Sequence, residues 1–384
     1  MRTLRNRRGC YTMLFIWAFL PYRYSAFAEG YQFEAVYTGE ILSNVSGGIK
    51  SGSRYLDNLD LTLDVDIAEA WGFGAGRLFI YGLYNNGNTF SDDLGGDLQV
   101  VSNIDAGHAW RVYEFWYEFG EGPWSIRTGL YDLNSEFDVS ETGGLFLNSS
   151  HGMGVDFSQT GENGPSIFPV SSLTLRGAIQ TDDFTVRIAV LDGVPGNPDN
   201  SASNTINLGG DDGVLTVAEM DARISESSRL WSGYWRYSSE FERPFSSGRT
   251  KGNDGWYVGV ESRIEIGTLA VAGFVRYGQA NEQLNAVEGY LGTGIVIDAP
   301  IVSRPKDQLG LAVASARLGE PYRNHLNLLV NNAQRREISW ELTYRAQISK
   351  HLVIQPNIQF IQSPSVSSAI DDALVVGLRF EIVY

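Results

Sequence analysis

Apolar residues recur along this chain with a period of two, and the last segment shows it most cleanly. In Asp372–Tyr384, Leu374, Val376, Leu378, Phe380, Ile382 and Tyr384 alternate with Val375, Gly377, Arg379, Glu381 and Val383. Successive side chains of a strand point to opposite faces, so this segment has one apolar face and one partly charged face. Asn58–Ala68 repeats the pattern, with Leu59, Leu61, Leu63, Val65 and Ile67 against Asp60, Thr62, Asp64 and Asp66. In Glu337–Ser349, Ile338, Trp340, Leu342, Tyr344, Ala346 and Ile348 oppose Glu337, Ser339, Glu341, Thr343, Arg345 and Gln347. Gly255–Ile266 places Trp256, Val258, Val260, Ile264 and Ile266 opposite Tyr257, Glu261, Arg263 and Glu265.

Extended over the chain, the pattern predicts strands at about 31–43, 54–69, 76–85, 109–119, 123–134, 171–180, 183–192 and 213–225. A second set follows at about 229–241, 254–266, 268–278, 289–299, 308–317, 335–348, 351–362 and 372–384. Long connectors around 44–53, 86–108, 135–170, 193–212, 242–253, 279–288 and 318–334 mostly alternate with short ones at Gly120–Gly122, Thr181–Asp182, Ser225–Ser228 and Gly267. A soluble sandwich also has a wet and a dry face, but it has no reason to sort loop length by parity. The fold class is therefore all-β: a transmembrane up-and-down antiparallel barrel of about 16 strands, with tight turns at one end and long loops at the other. An even strand number leaves both termini on the periplasmic side. Tyr31, Phe33 and Tyr37, then Tyr113, Phe115, Tyr117 and Phe119, then Trp231, Trp235 and Tyr237 are expected on the outward face, as aromatic girdles.

Composition sharpens this picture. Arg2, Arg5, Arg7 and Arg8, the apolar stretch Tyr11–Leu20 and Ser25-Ala26-Phe27-Ala28 have the plan of a secretory signal peptide over residues 1–28. The barrel domain would then be 29–384. The single cysteine, Cys10, lies within the leader, so disulfide and thiol chemistry are excluded from the mature chain. Removing five arginines leaves 24 basic against 45 acidic residues, a net charge of −21 in place of −16. Such a charge argues against nucleic acid as a partner. No apolar run beyond the leader approaches the length of a spanning helix. Paired strands closed on themselves are the other way to satisfy the backbone in lipid.

A barrel of this size holds water, and 135–170, the longest connector, is expected to fold into the lumen and narrow it. The inward faces near it supply the candidate constriction: Arg77, Glu114, Trp116 and Arg127 on the strands, Asp132 and Glu136 at the loop's start, and Arg176 and Arg379 further round. Glu118, Arg187, Glu219, Arg223, Arg236, Glu261, Arg276 and Arg345 are inward candidates as well. Arginines and carboxylates can donate to and accept from sugar hydroxyls, and an indole can stack on a pyranose face. Charged rings equally suit an unselective solute filter. His108, His151, His325 and His351 have no metal-ligand spacing. Loop acids such as those of 92–97 and 209–213 lack the spacing of a calcium loop and read as solvated. A barrel hydrolase would need a histidine on the wall, where only His351 comes near. No catalysis, cofactor or metal is expected.

Glu114–Asn148 (EFWYEFGEGPWSIRTGLYDLNSEFDVSETGGLFLN) resembles the hallmark block of the carbohydrate-selective porins, the OprB family. Glu114, Trp116, Tyr117, Glu118, Arg127, Gly129, Asp132, Glu136, Phe137, Phe146, Leu147 and Asn148 carry the likeness. Glu341–Arg345, Gln355–Gln359 and Val376–Arg379 add to it. The resemblance implies a sixteen-stranded barrel through which monosaccharides such as glucose diffuse, narrowed by inward loops and charged residues. The chain ends on Tyr384 where that family ends on Phe, and 193–320 matches less clearly. Small-molecule sugars and outer-membrane lipid are the expected partners, and the sequence leaves a monomer and a homotrimer both open. An unselective diffusion porin remains the alternative.

Overall fold

The computed structural model describes residues 26–197, 212–244, 247–267, 269–329 and 333–384. The expected leader lies almost wholly outside these residues. Of it, only Ala26–Ala28 is described, a three-residue strand, β1, paired with Tyr31–Phe33. The wall begins with β2 (Tyr31–Gly48), β3 (Gly52–Asp66), β4 (Arg77–Asn85), β5 (Ala109–Glu121) and β6 (Trp124–Tyr131). It continues through β7 (Ser172–Gln180), β8 (Phe184–Asp192), β9 (Val214–Ser225), β10 (Ser228–Glu242), β11 (Arg249–Ile266) and β12 (Leu269–Ala280). The last five are β13 (Val287–Asp298), β14 (Gln308–Leu318), β15 (Arg336–Gln347), β16 (Leu352–Gln362) and β17 (Asp371–Val383). Each pairs antiparallel with its sequence neighbours. β17 returns to β2, with Arg379 opposite Glu40 and Phe380 opposite Gly39. Sixteen strands thus close without a free edge, so backbone groups of the wall are paired within it.

Apolar side chains line the outside. Leu175, Ile179, Ile188, Leu311, Leu342 and Leu378 are among the large hydrophobics most open to the surroundings. Long excursions at 86–108 and 132–171 leave one end, and turns of two or three residues between β5 and β6, β7 and β8, and β9 and β10 close the other.

Several expected boundaries move. The predicted connector 44–53 is a tight hairpin, because β2 and β3 run on to Gly48 and Gly52. The connector 242–253 likewise shortens to 243–248. Residues 67–69, expected to end the strand, instead open a short helix α1 (Ile67–Trp71) that Asp66 caps by accepting from Glu69 N at 3.0 Å. The connector at 318–334 contains a helix, α2 (Glu320–Leu329).

The largest correction concerns the aromatics. Trp231, Trp235 and Tyr237 face inward and are buried, whereas Ser232, Tyr234 and Arg236 of the same strand face outward. Tyr113 also turns inward, next to a register shift between β4 and β5. The lumen there is dry. Phe137, Met153 and Phe157 of the 132–171 segment pack on Trp231, Trp235, Tyr257, Leu215 and Val217. Phe157 lies on Trp235 with ring centroids 4.9 Å apart and planes 2° from parallel. Gly259, opposite Trp231 in register, gives that indole its room: a Cβ there would sit 2.0 Å from the Trp231 ring. Each ring removes about 150–250 Å² from water, which at about 25 cal/mol per Å² is an upper bound of about 4–6 kcal/mol.

Candidate functional site

The 132–171 segment crosses the interior and is held there by inward carboxylates. Glu219 on β9 accepts from Asp138 N at 2.7 Å. Glu261 on β11 accepts from Ser140 Oγ at 2.9 Å and Thr142 N at 3.2 Å. Arg276 on β12 pairs with Asp138 at 2.6 Å and with Asp156. Glu341 on β15 takes the Leu147 and Asn148 N–H groups at 2.7 and 3.0 Å. The 86–108 segment is pinned alike, with Leu98 N and Gln99 N donating to Glu337 and Gln359 Nε2 donating to Val101 O at 2.7 Å. Backbone N–H groups inside a barrel need acceptors, and ionised acceptors make the stronger bonds. Glu219, Glu261 and Arg276, expected as pore-lining charges, thus serve to anchor this segment.

These segments leave an open lumen of about 1190 Å³, and all eight candidate constriction residues line it. Four side chains stand in one cross-strand row: Arg77 pairs in register with Glu118, Glu118 with Arg127, and Arg127 with Arg176. Glu136, from the start of the 132–171 segment, completes the cluster. Arg127 meets Glu118 at 2.9 Å and Glu136 at 3.4 Å. Arg176 donates through Nε and Nη2 to both oxygens of Glu136, each at 2.9 Å, and reaches Glu118 as well. Tyr131 Oη donates to Glu136 at 2.6 Å. Burial works to raise the Glu136 pKa, but Arg127, Arg176 and Arg187 overcome it and hold that carboxylate at about 2.

Trp116 lies beside this cluster. The Arg127 guanidinium sits 3.8 Å from its ring centroid, and Phe79 stacks on it at 5.0 Å. Its Nε1 donates to Glu114 at 3.1 Å, which also accepts from Asp132 N at 3.1 Å. Opposite Trp116 on β6 is Gly129, at φ +137°; a Cβ there would be 2.2 Å from the Phe115 carbonyl oxygen. The indole is only 5% exposed. The ring expected to stack on a sugar is thus packed against Arg127 and Phe79.

Arg77 is bound by Asp64, 5.7 Å from the Trp116 ring. Arg379 stands apart from the row, held by Glu40 at 2.8 Å and near Ser102 of the 86–108 segment. Arg223 and Arg236 do not line the lumen. Gln32, Glu34, Asp60 and Glu381, absent from the candidate set, do. Their signal was the inward parity of β2, β3 and β17. Among the described residues no cluster of three or more metal-ligating side chains could hold a metal ion.

The model of the carbohydrate-selective porin family, OprB, matches residues 50–384. Porin B of Pseudomonas aeruginosa is 23% identical over 408 aligned residues, covering 93% of this chain and 88% of that protein. The high-pH structure of Pseudomonas putida OprB superposes with a TM-score of 0.81 at 20% identity, covering 92% of this chain and 94% of that one. The low-pH structure gives 0.58 at 18% identity, covering 92% and 93%. A mutant of Rh. blastica porin gives 0.56 at 9% identity, covering 92% and 100%. These structural likenesses establish the barrel. The family match extends over most of the chain, including both blocks that first suggested it, and it is a family of channels and not of enzymes. The chain belongs to the carbohydrate-selective porin family and is an outer-membrane channel.

Proposed function

We propose that the lumen passes monosaccharides of glucose size by passive diffusion, and that the row Arg77–Glu118–Arg127–Arg176, faced by Glu136, is its constriction. The observation that carries this reading is the pairing itself. Two guanidiniums share two carboxylates on the lumen wall, so they offer N–H donors and carboxylate acceptors in fixed positions with little net charge. Such a surface replaces part of a sugar's hydration shell and still releases it. The 132–171 segment narrows the channel by occupying the lumen opposite this row. We further propose that residues 1–28 are removed on export, leaving 29–384 as the barrel, with outer-membrane lipid against its apolar wall. A homotrimer would cover part of that wall, and cross-linking in native membranes reads it directly.

Glucose added to single channels in planar bilayers is expected to block ion current, and Arg127→Ala to weaken that block by about tenfold, the loss of roughly 1.4 kcal/mol of binding. Unchanged block in the variant would remove Arg127 from the site. No block in the wild type would leave an unselective porin.

A further inference from the structure

At the end of the barrel opposite the long excursions, one connector departs from the rest. Residues 67–76 (IAEAWGFGAG), between β3 and β4, carry a single charged side chain, Glu69. The other long connector at that end, 299–307, carries Arg304, Lys306 and Asp307, and the remaining ones are short. The apolar connector opens with α1, which buries none of its residues. Trp71 is 46% exposed and Phe73 is 72% exposed. Their rings stack on each other, with centroids 6.3 Å apart and planes at 29°. Exposed apolar patches of this kind mark a surface that something else covers.

The connector folds over the outer side of the wall and not over the channel mouth. Of its residues only Gly76 lines the lumen. Two tyrosines of the outer face hold it. Tyr31 shares the parity of outward Phe33 on β2, and Tyr117 that of outward Phe115 on β5. Trp71 Nε1 donates to Tyr31 Oη at 2.7 Å, and Tyr117 Oη donates to the Ala75 carbonyl at 2.7 Å. Ile67 N donates to Gly76 O at 3.1 Å and closes the base. The outward Leu59, Leu61 and Leu63 of β3 lead straight to α1. The patch therefore continues the apolar wall. An indole with one polar edge and one greasy body suits the boundary between headgroups and acyl chains.

We infer that residues 67–76 are an interfacial anchor, which beds Trp71 and Phe73 among the phospholipid headgroups and upper acyl chains of the periplasmic leaflet. Lipid is the occupant because the patch hangs from the outer face of the barrel and is continuous with it, as a membrane-surface segment requires. The inference rests on the outer-membrane location and is independent of which solute the channel passes. A unique label on the full-length protein tests it, since Cys10 is the only cysteine of the chain. In a Cys10→Ser background, Phe73→Cys carries an environment-sensitive fluorophore in proteoliposomes, with Glu226→Cys in an exposed tight turn of the same end as reference. The Phe73→Cys label is expected to emit to the blue of the reference and to be quenched several-fold more strongly by lipid spin-labelled near the headgroup. Emission and iodide quenching equal to the reference would put the connector in water and overturn the anchor. Blue emission without lipid quenching would mean that protein, a second copy included, covers the patch, and would overturn it too. Trp71 gives a second reading without a label. The difference between wild-type and Trp71→Phe fluorescence is expected to be quenched by brominated phospholipid, and an unquenched difference would contradict the assignment.

Discussion

His151 shows how individual residues settle the interior. It sits on the 132–171 segment between Phe146 and Phe274, with ring centroids 5.1 and 5.7 Å away. It is buried, and neither ring nitrogen has a hydrogen-bond partner. Burial alone pushes its pKa down to about 3. Arg276 and Asp138, which line the same small cavity, are already bound to each other. The sign follows from linkage: the unfolded imidazole takes a proton below about pH 6.5, and the folded one does not until about 3. Acidification through that window therefore costs the native seat about 1.4 kcal/mol per pH unit. His151→Leu is expected to remove that dependence, so the fall in melting temperature from pH 7 to pH 5 in detergent should be smaller in the variant. An equal fall in both proteins would show that His151 is hydrated or partnered at acidic pH. Nothing in the sequence marked this residue, because a loop histidine without ligand spacing has no pattern to betray its burial.

At the scale of elements, the alternation of β3, β11, β15 and β17 placed their outward and lumen faces correctly, since one face is apolar and the other carries Asp, Glu or Arg. The same rule inverted β10. Its two faces are Trp231, Gly233, Trp235 and Tyr237 against Ser232, Tyr234 and Arg236, and the apolar one is inward. Pattern tells which residues share a face, but the choice of face belongs to the partner, here a loop distant in sequence that makes part of the lumen dry. The loop itself was legible as long and glycine-rich, whereas its anchors were not. Glu219, Glu261 and Glu341 look like pore charges until the N–H groups they accept are known. Removing one anchor tests this. Glu341→Ala strips two charge-assisted bonds from Leu147 and Asn148, about 1.5–3 kcal/mol each. Single-channel conductance and proteolysis within 143–154 are expected to rise while the barrel keeps its gel mobility. A variant as closed and as resistant as the wild type would mean that the aromatic bed alone holds the loop.

For the whole molecule, the outside presents apolar side chains and the inside a lumen of about 1190 Å³ with charges on adjacent strands. All eight constriction candidates line that space, whereas of the further inward candidates only Glu118 and Arg187 do, since Glu219 and Glu261 face the packed loop and Arg236 the outside. The sequence could not show which of them touch, since Arg127 and Arg176 share Glu118 across neighbouring strands and share Glu136 once the loop has folded back. On the proposed reading, selectivity is a property of the closed barrel and its inserted loop together. Proteoliposome swelling tests it most directly, comparing glucose with a disaccharide and with a neutral non-sugar solute of glucose size. The account predicts that glucose enters fastest, ahead of the equally sized solute and well ahead of the disaccharide. Rates that follow molecular size alone, with glucose and its non-sugar match indistinguishable, would contradict it.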